Sequence, residues 1–286
     1  MSETRYLIYD WNSCEGPELP IRGRAMLNDE TLRDGLQSPS VLDPPIEKKI
    51  QILHLMEELG IDSLDLGLPG AGPRAKADVL RLAKEIASCK LRIRPNCAAR
   101  TVESDIRPIA DVVQATGVPI EAATFLGSST IRQYAEDWTL DFLLRTTEKA
   151  VKTTVSLGLP SMYVTEDTSR AHPEVVKKLY TAAIESGAQA IVVCDSVGHA
   201  TPRGVRALLR FVMEEVVRPT GEKVRVDWHG HQDRGLGVTN SLAAYEAGAH
   251  QVHGVALGIG ERVGNTPMDQ LLVNLKLMGA PGVADR

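Results

Sequence analysis

Hydrophobic positions along this chain come in two alternating forms. Short dense runs occur at Ala25–Asp29, Ser63–Leu68, Leu91–Asn96, Ile120–Phe125, Ser161–Thr165, Ala190–Cys194, Val224–Trp228 and Gln251–Leu257. Between them, apolar residues recur every three or four positions: Pro45–Gly60 (Ile46, Ile50, Leu53, Met56, Leu59), Ala75–Ala87, Val102–Thr116, Leu140–Leu157, Pro173–Ser186, Pro202–Val217, Gly237–Ala247 and Pro267–Leu277. Dense short runs predict strands, and the three-to-four spacing predicts helices with one buried face. The punctuation agrees. Gly60, Gly158 and Gly187 follow predicted helices, and Pro202 stands in a first turn, where its missing N–H costs nothing.

Eight strand-then-helix units in strict alternation imply parallel strands joined by crossover helices. Eight such units in about 260 residues predict an α/β fold of the closed (β/α)8 TIM-barrel kind rather than an open doubly wound sheet. No GxGxxG follows the first strand, which argues against a dinucleotide site. The expected organisation is an N-terminal extension over 1–24, a barrel domain over 25–280 and a short polar tail over 281–286.

Composition narrows the partners. With 43% apolar and 24% charged residues, the 286-residue chain reads as a globular domain. Its net charge of −5, without a basic run, argues against nucleic acid, so an anionic substrate must be held by individually placed Arg and Lys. No apolar run approaches the ~18 residues of a membrane span. Met1–Asp10 does not read as a signal peptide, and Cys14, Cys89, Cys97 and Cys194 form no CxxC pair. These features predict free thiols in a reducing, cytoplasmic setting.

In such a barrel the chemistry belongs to the loops after the strands. Polar and ionisable residues gather there: Asn28–Gln37 after the first, Glu166–Arg170 after the fifth, Asp195–His199 after the sixth, His229–Asp233 after the seventh and Gly258–Thr266 after the eighth. His229 and His231 lie two apart at a strand end, so alternation sends both imidazoles to one face. Two histidines with Asp34, and with Asn265 or water in further positions, form a mixed nitrogen–oxygen set. Such a set suits a divalent ion, Mg, Mn or Zn, acting as a Lewis acid. Ordinary readings stand beside these. Glu166 and Arg170 could be an orienting salt bridge, Cys97 and Cys194 read as small buried hydrophobes, His54 and His172 as surface residues, and His250 and His253 carry no assigned chemistry.

Leu32-Arg33-Asp34-Gly35-x-Gln37, His229-x-His231-x-Asp233 and Gly258-x-Gly260-Glu261-Arg262-x-Gly264-Asn265 together resemble the metal-dependent acyltransferase and lyase barrels. That superfamily includes 2-isopropylmalate, homocitrate and citramalate synthases and hydroxymethylglutaryl-CoA lyase, and the resemblance runs from Ala25 to Leu277. It implies that Asp34, His229 and His231 bind the metal, with Asn265 nearby. Arg33 would stabilise an enolate or oxyanion, and Glu166 would take part in proton transfer. Gln37, Arg100, Thr168 and Ser196 would face or support a 2-oxo acid, with an acyl-CoA as second substrate. The implied activity is a Claisen condensation giving a 2-alkylmalate-type acid and CoA, in a homodimer or with a partner subunit.

The chain departs from the pattern in places. Gln232 replaces the usual Asn, Ser196 a common Thr, and Leu36 stands where many synthases carry Glu, a form closer to the lyase. The synthases continue past the barrel, whereas this sequence stops soon after the eighth predicted helix, as the lyase does. The lyase, however, depends on a Cys in the loop after strand eight, and Gly258–Thr266 has none. The loop chemistry therefore favours a synthase. A lyase or aldolase, or a non-catalytic barrel awaiting a partner, are the alternatives.

Overall fold

The structure, a computed structural model, describes residues 23–283. Its strands are β1 (Met26–Asp29), β2 (Ser63–Asp65), β3 (Arg94–Arg100), β4 (Glu121–Gly127), β5 (Ser161–Glu166), β6 (Ala190–Asp195), β7 (Arg225–Gly230) and β8 (Gln251–Gly254). They pair in sequence order into a closed parallel barrel, sealed where β8 lies beside β1 with Met26 opposite Gln251. Around it run α1 (Ile46–Glu58), α2 (Pro73–Cys89), α3 (Glu103–Thr116), α4 (Thr130–Glu136), α5 (Leu140–Ser156), α6 (Pro173–Glu185), α7 (Pro202–Phe211), α8 (Arg218–Thr220), α9 (Gly237–Glu246) and α10 (Met268–Leu277). A π-helical stretch, Val212–Val217, joins α7 to α8, so the expected helix through Val217 is continuous. Among the described residues, no helix is long and apolar enough to cross a membrane. Residues 1–22 of the expected extension, Cys14 among them, and 284–286 of the expected tail lie outside the described residues.

The fold is the (β/α)8 barrel that the alternation predicts, with local differences. β3 begins at Arg94 and runs to Arg100, later than the expected Leu91–Asn96. Its core is Asn96-Cys97-Ala98-Ala99, small side chains with little hydrophobic signal, and its position is set by pairing with β2 and β4. Helix α4 is unexpected. It has seven residues, none buried, and is held by the Ser129 hydroxyl accepting from the Arg132 N–H rather than by an apolar stripe.

Alternation along each strand sorts the side chains. Leu27, Leu64, Tyr163, Ile191, Val193, Val226, Trp228 and Val252 point outward into the shell beneath the helices. The inward positions divide into two arcs. On β4, β5 and β6 they are Ala123, Met162, Val164, Ala190, Val192 and Cys194, an apolar cluster of their own. On β1, β2, β3, β7 and β8 they are mostly polar, with Ala98 an exception: Asn28 accepts from Ser63 Oγ and Asn96 Nδ2, both at 2.7 Å, and Gln251 reaches Ser63. Barrel interiors are ordinarily filled by branched apolar residues. Here one arc of the interior is a hydrogen-bonded polar network.

Candidate metal centre and active site

Above these arcs, at the C-terminal ends of the strands, lies a cavity of about 570 Å³. Arg33, Asp34, Gln37, Glu166, Ser196, His229 and His231 all line it. Asp34 and Arg33 arrive on a tight turn after β1, in which the Arg33 and Gly35 amides donate to the Glu30 carbonyl at 3.2 and 3.0 Å. Gly35 is needed there, because a Cβ would come within 2.9 Å of Val255 Cγ1. His229 sits on β7. His231 follows it, bridged to Asn265 of the loop after β8.

Three donors converge. Asp34 Oδ2 is 3.4 Å from His229 Nε2 and 3.7 Å from His231 Nε2, and all three residues are buried. These contacts are too long for strong hydrogen bonds, and the three ligand atoms lie within 4.8 Å of one another, close enough to share one ion. Burial and the neighbouring His229 push the His231 imidazole down to about 4, which keeps it in the neutral form a cation requires. Asn265 does not line the cavity itself, yet its buried Oδ1 has no hydrogen-bond partner while its Nδ2 is spent on the Ile259 carbonyl. An orphaned acceptor beside His231 suits a site built for a cation or its water. The donor set fits a divalent metal, and the loop after β8 is shaped to deliver it. A Cβ at Gly264 (φ 101°) would overlap the Gly258 carbonyl.

Arg33 is held in the cavity wall by three carboxylates. Its Nε donates to Asp65 Oδ2 at 2.9 Å, its Nη2 pairs with Glu30, and its Nη1 lies 3.6 Å from Asp34 Oδ2. Burial pushes Asp65 up to about 6, partly offset by Arg33. Burial acts the same way on Glu30, but Arg33, His229 and His253 outweigh it and hold that carboxyl well below the ordinary range. Glu166, at the end of β5, is raised by burial against the opposing pull of Arg132. Arg170 does not pair with it, because Asp167 takes both guanidinium arms at 2.7 Å.

Of the remaining expected residues, Arg100 and Thr168 fall elsewhere. Arg100 is largely exposed and its guanidinium is captured by Asp105 at 2.6 and 3.0 Å, outside the cavity wall. Thr168 is buried behind the wall, where its hydroxyl donates to the Thr165 carbonyl and accepts from the Cys194 N–H. Ser196 lines the cavity but accepts from the Asp167 N–H. Asp233 grips Arg262 at 2.8 Å, tying the histidine segment to the Gly-rich loop. Gln232 Oε1 accepts from the Gly237 N–H at the start of α9, a task that gives this departure a local reason. Cys97 and Cys194 are buried free thiols, their ionisation pushed well up by burial. His54 is half-buried against Glu85 at 3.0 Å, and His172 caps α6.

Pattern reading missed Glu30, Asp65, Asp227 and His253. Stepping back by two from His229 reaches Asp227, and stepping on by two from Gln251 reaches His253, so strand periodicity puts both on the inward face without telling what they meet there. Glu30 and Asp65 are visible only once β1 and β2 stand side by side, where both meet Arg33.

Two histidines, a carboxylate and an arginine over an open cavity make this a TIM barrel with a candidate divalent-metal site. The HMGL-like family model matches residues 24–285, and the chain belongs to that family. It is 32% identical over 253 residues to a 2-isopropylmalate synthase of Sediminispirochaeta smaragdinae, covering 88% of this chain and 49% of that protein. It is 34% identical over 254 residues to one of Heliobacterium modesticaldum, covering 88% and 48%. The chain thus spans about half the length of these curated relatives. Among solved structures it resembles the Bacillus subtilis HMG-CoA lyase, with a TM-score of 0.72, 19% identity and coverage of 89% and 86%. It likewise resembles an Acinetobacter baumannii HMG-CoA lyase solved with coenzyme A and 3-methylmalate, with a TM-score of 0.72, 21% identity and coverage of 90% and 84%.

Proposed function

We propose that this barrel carries out a divalent-metal-dependent Claisen condensation of an acyl-CoA, acetyl-CoA in the simplest case, with a 2-oxo acid. The products are a 2-alkylmalate-type acid and, after water cleaves the thioester, free CoA. The observation that carries this reading is the convergence of Asp34, His229 and His231 beside Arg33 at the head of the cavity. Asp34, His229 and His231 would hold the ion, with Asn265 beside them, and the ion would supply Lewis-acid polarisation of the oxo-acid carbonyl. Arg33 presents a fixed cation where negative charge develops on the substrate oxygen, clamped so that it need not reorganise during reaction. Glu166, its carboxyl raised by burial, lines the same space and would take part in proton transfer. Gln37 and Ser196 offer polar edges to a carboxylate, while Ala98, Ala123, Met162 and Val192 form an apolar floor that takes the rest of the oxo acid and limits water.

The relatives' name supports the synthase branch. A carbon–carbon lyase running the reverse reaction is the second reading, favoured by Leu36 in the lyase-like form of the turn motif. Against it, the loop after β8 has no Cys, and the thiol that does face the cavity, Cys194, is kept protonated by burial.

The test is thiol release from acetyl-CoA with pyruvate, 2-oxoisovalerate, 2-oxoglutarate or oxaloacetate, with Mg, Mn or a chelator. Metal-dependent release with one oxo acid is the expected result. No release with any of them from metal-loaded protein refutes the condensation, and acetyl-CoA formed from a 3-hydroxy-3-methylacyl-CoA would move the chain to the lyase reading.

A further inference from the structure

The charged wall continues behind the candidate ligands. Glu30 is buried, and its two oxygens are divided between tasks. Oε1 meets His253 Nδ1 at 2.6 Å and Asn28 Nδ2 at 3.3 Å, while Oε2 pairs with Arg33 and faces His229 Nδ1 at 3.4 Å. His253 sets its Nε2 3.7 Å from Asp227 Oδ2, and Asp227 is gripped by Arg225, which also holds Glu121 at 2.8 Å. A chain of alternating charge therefore runs from the cavity down through the barrel.

A neutral imidazole has one proton to place. For His229 to offer the Nε2 lone pair toward Asp34 and His231, that proton must sit on Nδ1, where an acceptor has to receive it. Metal-bound histidines commonly meet this need with a carboxylate behind the ring. We propose that Glu30 is the positioning residue for His229, accepting its Nδ1–H and so fixing both tautomer and ring orientation, and that His253 in turn aims Glu30. The 3.4 Å separation closes to a hydrogen bond by a modest turn of either side chain. Arg33 draws on the same carboxylate, so one glutamate sets the ligand and the oxyanion-stabilising cation in register. The inference rests on the metal centre proposed above. It assigns Glu30 and His253 to support of that centre, although Glu30, His229 and His253 lie close enough together to hold a cation themselves.

The experiment titrates metal-free protein with Mn²⁺ by calorimetry and follows the ¹⁵N-labelled histidine rings by NMR, in the wild type, Glu30→Gln, Glu30→Asp and His253→Gln. The expected wild type binds one ion and shows His229 protonated on Nδ1. Glu30→Gln weakens Mn²⁺ roughly 10- to 100-fold at unchanged stoichiometry and shifts the His229 proton toward Nε2, while Glu30→Asp, which keeps the carboxylate, recovers part of both. If Glu30→Gln does not fold, His253→Gln carries the same test with a several-fold loss. Wild-type affinity together with an unchanged His229 tautomer in the folded variants overturns the proposal. Two ions bound to the wild type also overturns it, making Glu30 and His253 ligands of a second site. A wild type that binds no divalent ion removes the metal centre itself, a failure read from the wild type alone.

Discussion

The two arcs of the barrel interior differ in almost every respect except fold. β4, β5 and β6 turn Ala123, Met162, Val164, Val192 and Cys194 inward, and that arc is held by dispersion and exclusion of water. β1, β2, β7 and β8 and the turn after β1 bring Glu30, Asp65, Asp227, His229 and His253 inward, all buried, with Glu30 facing His229 and His253, His253 facing Asp227, and Asp65 held by Arg33. Buried charge is expensive unless every group finds a partner, and replacing such networks with apolar residues often stabilises a protein. A fold that already fills one arc with alanine, valine and methionine has no structural need of charge in the other. The asymmetry fits the proposed chemistry: the charged arc would supply most of the reactive wall, with Glu166 at the end of β5 facing it, and the apolar arc would shape what lies against it.

The comparison is broken most directly at Asp34. Asp34→Ala should lower Mn²⁺ affinity and turnover by more than about 100-fold, since removing a ligand must exceed the loss from removing its support, and isothermal titration beside the thiol assay measures both. Next comes Arg33→Ala. It leaves Glu30, Asp65 and Asp34 without their shared cation, so kcat should fall about 10²- to 10³-fold and urea unfolding should show a loss of about 3–5 kcal/mol. Arg33→Lys should restore stability better than kcat, because an ammonium cannot span Asp65 and Glu30 as a planar fork does.

The apolar arc should respond in the opposite sense. Ala123→Leu intrudes on the cavity floor and should cost roughly 10-fold or more in kcat/KM for the oxo acid, with Mn²⁺ affinity unchanged. A matching loss of metal affinity would mean that the arcs are not separate. The smallest effect on turnover concerns Asp29, beside the charged arc. Burial, with Glu30 and Asp65 nearby, pushes its carboxyl up to about 7. The folded state therefore favours its protonated form. Its contribution to stability is complete below the unfolded value of about 4 and is lost as pH rises through 7. Urea midpoints should fall between pH 5 and pH 8, and Asp29→Asn should make that fall shallower without changing turnover at pH 6.

What was legible in the sequence follows the same division. Strand and helix alternation carried the barrel, because periods of two and of three to four residues are written in nearly every element. Asp34, His229 and His231 were legible because each sits at a strand exit within a short motif. Glu30 and His253 were not, since their meaning depends on a contact across 223 residues that forms only when β8 closes onto β1. Arg100 shows the converse. The resemblance implied that it faces or supports the oxo acid, and in the structure Asp105, five residues on, holds its guanidinium, a contact no motif announces. Helix α4 left no pattern because it buries nothing.

The most direct measurement is the metal content and Mn²⁺ affinity of the wild type and Asp34→Ala, each checked for a folded barrel by circular dichroism. If the charged arc is a metal centre, the wild type holds one ion per chain and Asp34→Ala holds none at the same concentration. An Asp34→Ala protein that is folded and binds the ion as tightly as the wild type would contradict it.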